Sequence, residues 1–101
     1  MAIAASVDIG TLITKSPEIW NGLPVITGTR VPVMIIADLY KEGMTPEQIA
    51  DEKYLSLVQV YAGITYYHAN QQEIENAIAE EQVEYDKAEK EWRQMRAEGR
   101  A

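Results

Sequence analysis

The sequence predicts an α+β fold that is mainly α: a short N-terminal β-hairpin, a three-helix helix-turn-helix-like bundle and a long C-terminal amphipathic helix. Three observations support this class. Two glycine-centred turns flank a short apolar run within residues 21–33. Two capping boxes follow, and each marks the start of a helix. Residues 72–101 then repeat apolar side chains at helical spacing.

The N-terminal third contains the β-element. Residues 1–12 are small and mixed, and we predict a flexible arm there. Residues 13–14 begin a short strand. Residues 19–26 are interpreted as a hairpin, because its Asn21-Gly22 centre tolerates the positive φ angles of a type I′ turn. Residues 27–31 make a second reversal and complete the element.

Start and stop signals mark three helices. Pro32 suits the first turn of a helix and Gly43 suits its end. Thr45 and Ser56 each begin a capping box, and the third helix ends near Asn70. The apolar positions expected on the first and third helices are Val33, Ile36, Ala37 and Tyr40, and Val60, Tyr61, Ala62, Ile64 and Tyr67. Residues 13–71 thus form one helix-turn-helix-like core.

A further helix is predicted from about Gln72 to about Arg96. Its apolar stripe is interrupted by Glu81 and comprises Ile74, Ile78, Tyr85, Ala88, Trp92 and Met95. A core of residues 13–71 buries only a modest fraction of its surface. We therefore assign residues 72–101 to dimerisation or partner binding.

Composition limits the function classes. Nine Lys and Arg oppose 16 Asp and Glu, for a net charge of −7, which disfavours DNA binding by the chain alone. There is no cysteine and His68 is the single histidine, so we predict no metal site, cofactor or catalytic residue, and hence no enzyme. Without a signal peptide or a long apolar run, we expect a bacterial cytoplasmic protein that does not contact membranes.

Three sequence blocks carry a family resemblance: Asn21–Ile26, Gly28–Val33, and Gly43 followed by Thr45–Ala50. Together they resemble the domain of unknown function 433 family over about residues 13–75. The resemblance implies a helix-turn-helix-like, winged-helix-like bacterial protein similar to VapB-type antitoxins. It also implies a PIN-like ribonuclease toxin as partner and binding to operator DNA. Asn21 stands where the family often has glycine, and asparagine tolerates the same left-handed geometry.

The third helix would be the recognition helix in DNA-binding members of this fold. The candidate DNA-binding residues are Arg30, Gln59, Thr65, His68 and Asn70. Glutamine and asparagine bind adenine bidentately, yet no Lys or Arg occurs from Ser56 to Gln72. We therefore expect DNA binding mainly from a dimer or a toxin complex. For Arg30 we prefer an ion pair with Asp38 or Glu42 over a phosphate or inter-subunit contact.

The aromatic run Tyr66, Tyr67 and His68 has two interpretations. It could be a platform on which bases stack. We prefer the alternative, in which Tyr67 belongs to the core and its neighbours lie at an interface, because aromatic side chains at helical spacing mostly pack.

The C-terminal helix carries the candidate partner-binding residues, namely Ile78, Tyr85, Trp92, Arg93, Met95 and Arg96. In one interpretation it is a solvated helix with ion pairs Asp86–Lys90 and Glu89–Arg93. In another it fills a toxin groove, and an arginine reaches the carboxylates of the ribonuclease active site. A homodimer seam is an equal alternative.

The family resemblance, together with the amphipathic C-terminal helix, leads us to expect an antitoxin that forms a homodimer, binds and inhibits a PIN-like ribonuclease toxin, and regulates its own operon through DNA binding in the complex. Two alternatives stay open: a stand-alone helix-turn-helix-like DNA-binding regulator, and a non-enzymatic oligomerisation module.

Overall fold

The computed structural model describes residues 6–97 and Gly99. Two short strands and four helices follow one another: β1 (Ile13–Thr14), β2 (Val25–Ile26), α1 (Val33–Lys41), α2 (Pro46–Lys53), α3 (Leu57–Ala69) and α4 (Gln71–Ala97). The predicted class, α+β and mainly α, is confirmed. Among the described helices, none combines the length and the apolar character that a membrane crossing requires.

Two short 3-10 turns complete the N-terminal part, at Ile9–Leu12 and Trp20–Gly22. Of the predicted flexible arm, residues 1–5 lie outside the described residues. The Asp8 carboxylate caps the first 3-10 turn by accepting a hydrogen bond from the Gly10 amide at 3.0 Å.

The hairpin joins β1 to β2, so the prediction of a hairpin within residues 19–26 was wrong. Ile13 pairs with Ile26 in antiparallel register. Asn21 has the expected positive φ (53°). Trp20 also has a positive φ (51°), which is incompatible with an extended strand, so no strand precedes the turn. The Trp20 indole N–H donates to the Arg30 carbonyl at 2.9 Å, and its ring packs on the core. These tertiary contacts outweigh the local hairpin signal.

The second reversal lies where the sequence places it. Gly28 has a φ of 80°, which a residue without a Cβ adopts at little cost. The Ile26 amide donates to the Val31 carbonyl at 2.9 Å, and Val25 bridges to Pro32. Pro32 is the N-cap residue and has an extended ψ of 151°, so α1 begins one residue later than predicted.

Both predicted capping boxes form. The Thr45 hydroxyl accepts from the Gln48 amide at 3.1 Å, and the Gln48 side chain accepts from the Thr45 amide at 2.8 Å. Ser56 and Gln59 make the same reciprocal pair at 3.2 and 2.8 Å. These boxes fix where α2 and α3 begin.

Helix α1 lies at the centre of the fold and contacts the three other helices. Two apolar clusters form around it: Val33, Met34, Ala37, Tyr67, Ile74 and Ala77 in one, and Ile26, Ile36, Ile49, Val60 and Ile64 in the other. Tyr40 and Tyr61, predicted at apolar positions, are instead 36% and 49% exposed. Tyr40 lies next to the C-terminal end of α1, and Tyr61 lies on the outer side of α3.

Candidate functional site

Helix α3 turns one side away from the core. This outer α3 face is exposed and consists of Leu57, Val58, Tyr61, Thr65 and His68. Tyr54, just before the helix, has a φ of 57° and is 97% exposed. No Lys or Arg lies on α3, so the face presents apolar and aromatic groups rather than cations.

The structure does not gather the five residues predicted to contact DNA. The Gln59 side chain is held in its capping box. The Asn70 side chain donates to a backbone carbonyl of the preceding turn at 3.2 Å. Arg30 lines a different cleft, before α1. Thr65 and His68 alone share the outer α3 face, which therefore lacks the predicted set of base-reading and phosphate-binding groups.

The preferred ion pair of Arg30 with Asp38 or Glu42 is absent from the described part of the chain. The ion pairs found there are Lys15–Glu73, Lys41–Glu75 and Arg93–Glu89. The Arg30 backbone, by contrast, is fixed, because its carbonyl accepts the Trp20 indole N–H. Arg30 is exposed and lines a cleft together with Glu18.

The three residues of the aromatic run on α3 have different environments. Tyr67 is 4% exposed and belongs to the core, as the preferred interpretation predicts. Tyr66 is half-buried and packs against the same cluster. His68 is exposed, and its ring meets Tyr40 edge-on at 5.8 Å between centroids. Two of the three rings thus pack within the fold.

Two polar clusters fix the direction in which α4 leaves the core. In the Glu73 triad, this carboxylate accepts from the Tyr66 hydroxyl at 2.7 Å and from the Lys15 ammonium at 2.8 Å. In the Glu75 triad, the carboxylate accepts from the Tyr67 hydroxyl at 2.5 Å and from Lys41 at 2.6 Å. The triads tie α4 to α3, to α1 and to Lys15, the residue that follows β1.

Each triad favours the ionised carboxylate. The hydrogen bond from Lys41, followed by that from Tyr67, lowers the pKa of Glu75. Burial opposes ionisation of Glu73, but the hydrogen bonds from Lys15 and Tyr66 outweigh it, so its pKa is also lowered. The pKa of Lys41 is raised mainly by its hydrogen bond to Glu75.

These shifts predict that α4 docking weakens in acid. A carboxyl with a lowered pKa stabilises the docked state above its ordinary value of 4.5, and the contribution is lost as the pH falls through the shifted value. Protection factors of the amides at the α3–α4 junction, which are exchange rates corrected for the intrinsic effect of pH, should therefore be smaller at about pH 3.5 than at about pH 6. Glu75→Gln should reduce that difference, and Glu80→Gln, an exposed α4 control, should not. Equal behaviour of the two variants would contradict the assignment.

Beyond Ile78, α4 projects from the core, and the molecule measures 71 × 28 × 24 Å. The buried side chains of α4 are Ile74 and Ala77, and Ile78 is half-buried against the first cluster. The same stripe then continues into solvent as Tyr85, Ala88, Trp92 and Met95, which we call the projecting stripe. Its three large members are 63%, 51% and 44% exposed. A cleft between α1 and α4 adjoins the projecting stripe at Tyr85.

The α4 arginines already have contacts within the helix. Arg93 pairs with Glu89 at 2.5 Å, as predicted. The Arg96 guanidinium lies 5.8 Å from the Trp92 ring centroid. The predicted Asp86–Lys90 pair does not form; the Asp86 carboxylate instead accepts from the side-chain amide of Gln82 at 2.9 Å. Of the candidate partner-binding residues, Arg96 and Trp92 are thus brought together.

Sequence reasoning missed the apolar character of the outer α3 face and both triads. Val58 projects away from the buried Val60 and Ile64, but Leu57 lies seven residues before Ile64 and projects on nearly the same side, so helical periodicity marks only part of this face. The triads have no such signal, because their lysines come from distant parts of the chain. No three His, Asp or Glu side chains within residues 6–97 lie close enough to hold a metal ion.

Comparisons with known proteins show which family this fold belongs to. No curated protein matches the sequence. The crystal structure of a DUF433 member protein from Anabaena variabilis matches with a TM-score of 0.63 and 24% identity, over 68% of this chain and 69% of that chain. The profile of a family described as "Protein of unknown function (DUF433)" matches residues 13–67, which include the hairpin and α1 to most of α3. This chain belongs to the DUF433 family.

Proposed function

We propose that the protein is the antitoxin of a type II toxin–antitoxin pair, and that the projecting half of α4 binds and inhibits a PIN-like ribonuclease toxin. The observation that carries the proposal is the projecting stripe, an apolar helix face that has no partner within the described chain. Operator DNA, in this proposal, is bound by a homodimer or by the toxin complex.

The stripe has the composition of an interface anchor. Tyrosine and tryptophan supply large contact areas, and tryptophan is enriched among residues that dominate binding energy. An amphipathic helix that places such residues one or two turns apart fits the helix-in-groove mode of recognition. The two triads support this mode, because they hold the base of α4 and so reduce the freedom that is lost on binding.

A second candidate, the oligomerisation module, is favoured by the outer α3 face. Leu57, Val58 and Tyr61 are 42%, 56% and 49% exposed on one side of a single helix. Such a face suits contact with another protein surface better than contact with phosphates. This candidate requires self-association, so a strictly monomeric protein in sedimentation velocity experiments at high concentration would exclude it.

Deletion of residues 80–101 tests the proposed antitoxin function. The buried residues of the described chain all precede residue 80, so the shortened protein should keep its core and give a helical circular dichroism spectrum that is weaker by the contribution of the deleted part of α4. It should lose binding to the product of the adjacent reading frame, a PIN-like ribonuclease in this proposal. Retention of full affinity in a pull-down and in titration calorimetry would contradict the role of α4.

A further inference from the structure

The α4 stripe follows a heptad pattern in which one seam position is acidic. Positions 74, 78, 81, 85, 88, 92 and 95 alternate spacings of four and three residues, and position 81 is a glutamate. Glu84 and Glu91 directly precede Tyr85 and Trp92, so both flank the seam on the same side. All three carboxylates are exposed, and none belongs to the ion pairs found among the described residues.

This charge pattern disfavours a second copy of α4 as the occupant of the seam. In a parallel pair, Glu81 would face its own counterpart across the seam and Glu84 would approach Glu89 of the other helix, and the approach of Glu91 to Arg96 would offset this repulsion only in part. In an antiparallel pair, the flank with Glu84 and Glu91 would face the identical flank of the other helix. Either arrangement brings carboxylates together in a partly dehydrated seam, where like charges are unfavourable.

A groove with an apolar floor and basic rims has the complementary chemistry. The RNA-binding groove of a ribonuclease has basic rims because it must neutralise phosphates, and its aromatic or apolar floor receives bases. We infer that α4 occupies this groove of the toxin, with Glu81, Glu84 and Glu91 at phosphate positions and Tyr85 and Trp92 at base positions. The inference rests on the proposed function and specifies the surface of the toxin that α4 blocks.

Two of the α4 cations already have contacts within their own helix. Arg93 is paired with Glu89, and Arg96 lies beside the Trp92 ring. Charged contacts across an interface mainly set specificity and association rate, and their effect weakens with salt. Inhibition by occupation of the RNA groove therefore predicts competition between antitoxin and RNA, and an affinity that depends on the three glutamates.

The test uses the full chain, the ribonuclease encoded in the adjacent reading frame, and a labelled RNA oligonucleotide that resists cleavage. The unchanged chain should displace the RNA. The triple variant Glu81→Gln, Glu84→Gln and Glu91→Gln should bind the ribonuclease at least about 30-fold more weakly at about 50 mM salt, and its affinity should vary less with salt. Glutamine is a good helix former, so α4 should stay helical in circular dichroism.

A matched pair of single variants tests whether the effect depends on where the negative charge lies on α4. Glu84→Gln and Asp86→Asn each remove one negative charge, two residues apart and on nearly opposite sides of the helix. The first should weaken ribonuclease binding by about five- to tenfold, and the second by less than about twofold. Salt dependence should decrease only in the first.

Three outcomes overturn the inference. Unchanged or tighter binding by the triple variant would exclude phosphate mimicry but leave the antitoxin function in place. Simultaneous binding of RNA and the full chain to the ribonuclease would do the same. No binding of the unchanged chain to the ribonuclease would overturn the proposed function and this inference together.

Discussion

Replacing Trp92 with alanine should weaken binding to the ribonuclease partner by about 2–4 kcal/mol, or roughly 30- to 1,000-fold in Kd. Trp92 is 51% exposed in the free protein, so much of its indole surface is available for burial in a groove. Its ring lies 5.8 Å from the Arg96 guanidinium. Truncation would remove the largest apolar contact and leave a gap in the complex.

Val83 provides the matched control. It is 64% exposed on the same helix, but it lies on the side opposite the projecting stripe. Val83→Ala should change the affinity by less than about 0.5 kcal/mol, as is usual for a surface substitution. Titration calorimetry gives both affinities, and thermal melting should show that neither variant loses fold stability. Equal effects of the two substitutions on affinity would contradict binding through the stripe.

Local signals predicted the elements whose contacts are themselves local. The capping boxes at Thr45 and Ser56 form as the sequence indicates, because donor and acceptor lie three residues apart. Gly28 makes the second reversal for the same reason. The hairpin at Asn21 was mispredicted because a long-range contact, from the Trp20 indole to Arg30, decides the conformation of that turn.

The same difference between local and long-range contacts explains which parts of the candidate sites could be predicted. The stripe of α4 was predictable because helical periodicity is written directly in the sequence, and it places Tyr85 and Trp92 on one face. The separation of Arg30 from the outer α3 face depends on how the β-element packs, which no periodicity encodes. The partner of Glu73 is Lys15, 58 residues earlier, and a surface pairing over that separation leaves no pattern in a single sequence.

Replacing Ile36 with alanine should lower the free energy of unfolding by about 2–5 kcal/mol. Ile36 is fully buried between β2, α2 and α3, where it packs with Ile26, Ile49 and Val60. It also fills the space opposite Gly63, at which an added Cβ would lie 2.8 Å from Cδ1 of Ile36. Because small domains are stable by only about 5–15 kcal/mol or less, this loss is a large part of the total.

Urea denaturation followed by circular dichroism measures the effect, and Leu57→Ala is its control. Leu57 is 42% exposed on the outer α3 face, so its truncation in a monomer should cost less than about 1 kcal/mol. Ile36→Val should fall between the two, at about 0.5–1.5 kcal/mol, since it removes a single methylene. Similar midpoints for Ile36→Ala and Leu57→Ala would contradict the burial of Ile36.

The location of Ile36 also separates the core from the projecting helix. Its cluster contains no residue of α4, and the α4 residues Ile74 and Ala77 belong to the other cluster. The cost of Ile36→Ala should therefore be the same, within about 0.5 kcal/mol, in the full chain and in the chain that ends at residue 79, since distant sites add independently. A smaller cost in the shortened chain would mean that the end of α4 stabilises the core, and the loss of ribonuclease binding on deletion could not then be assigned to the stripe.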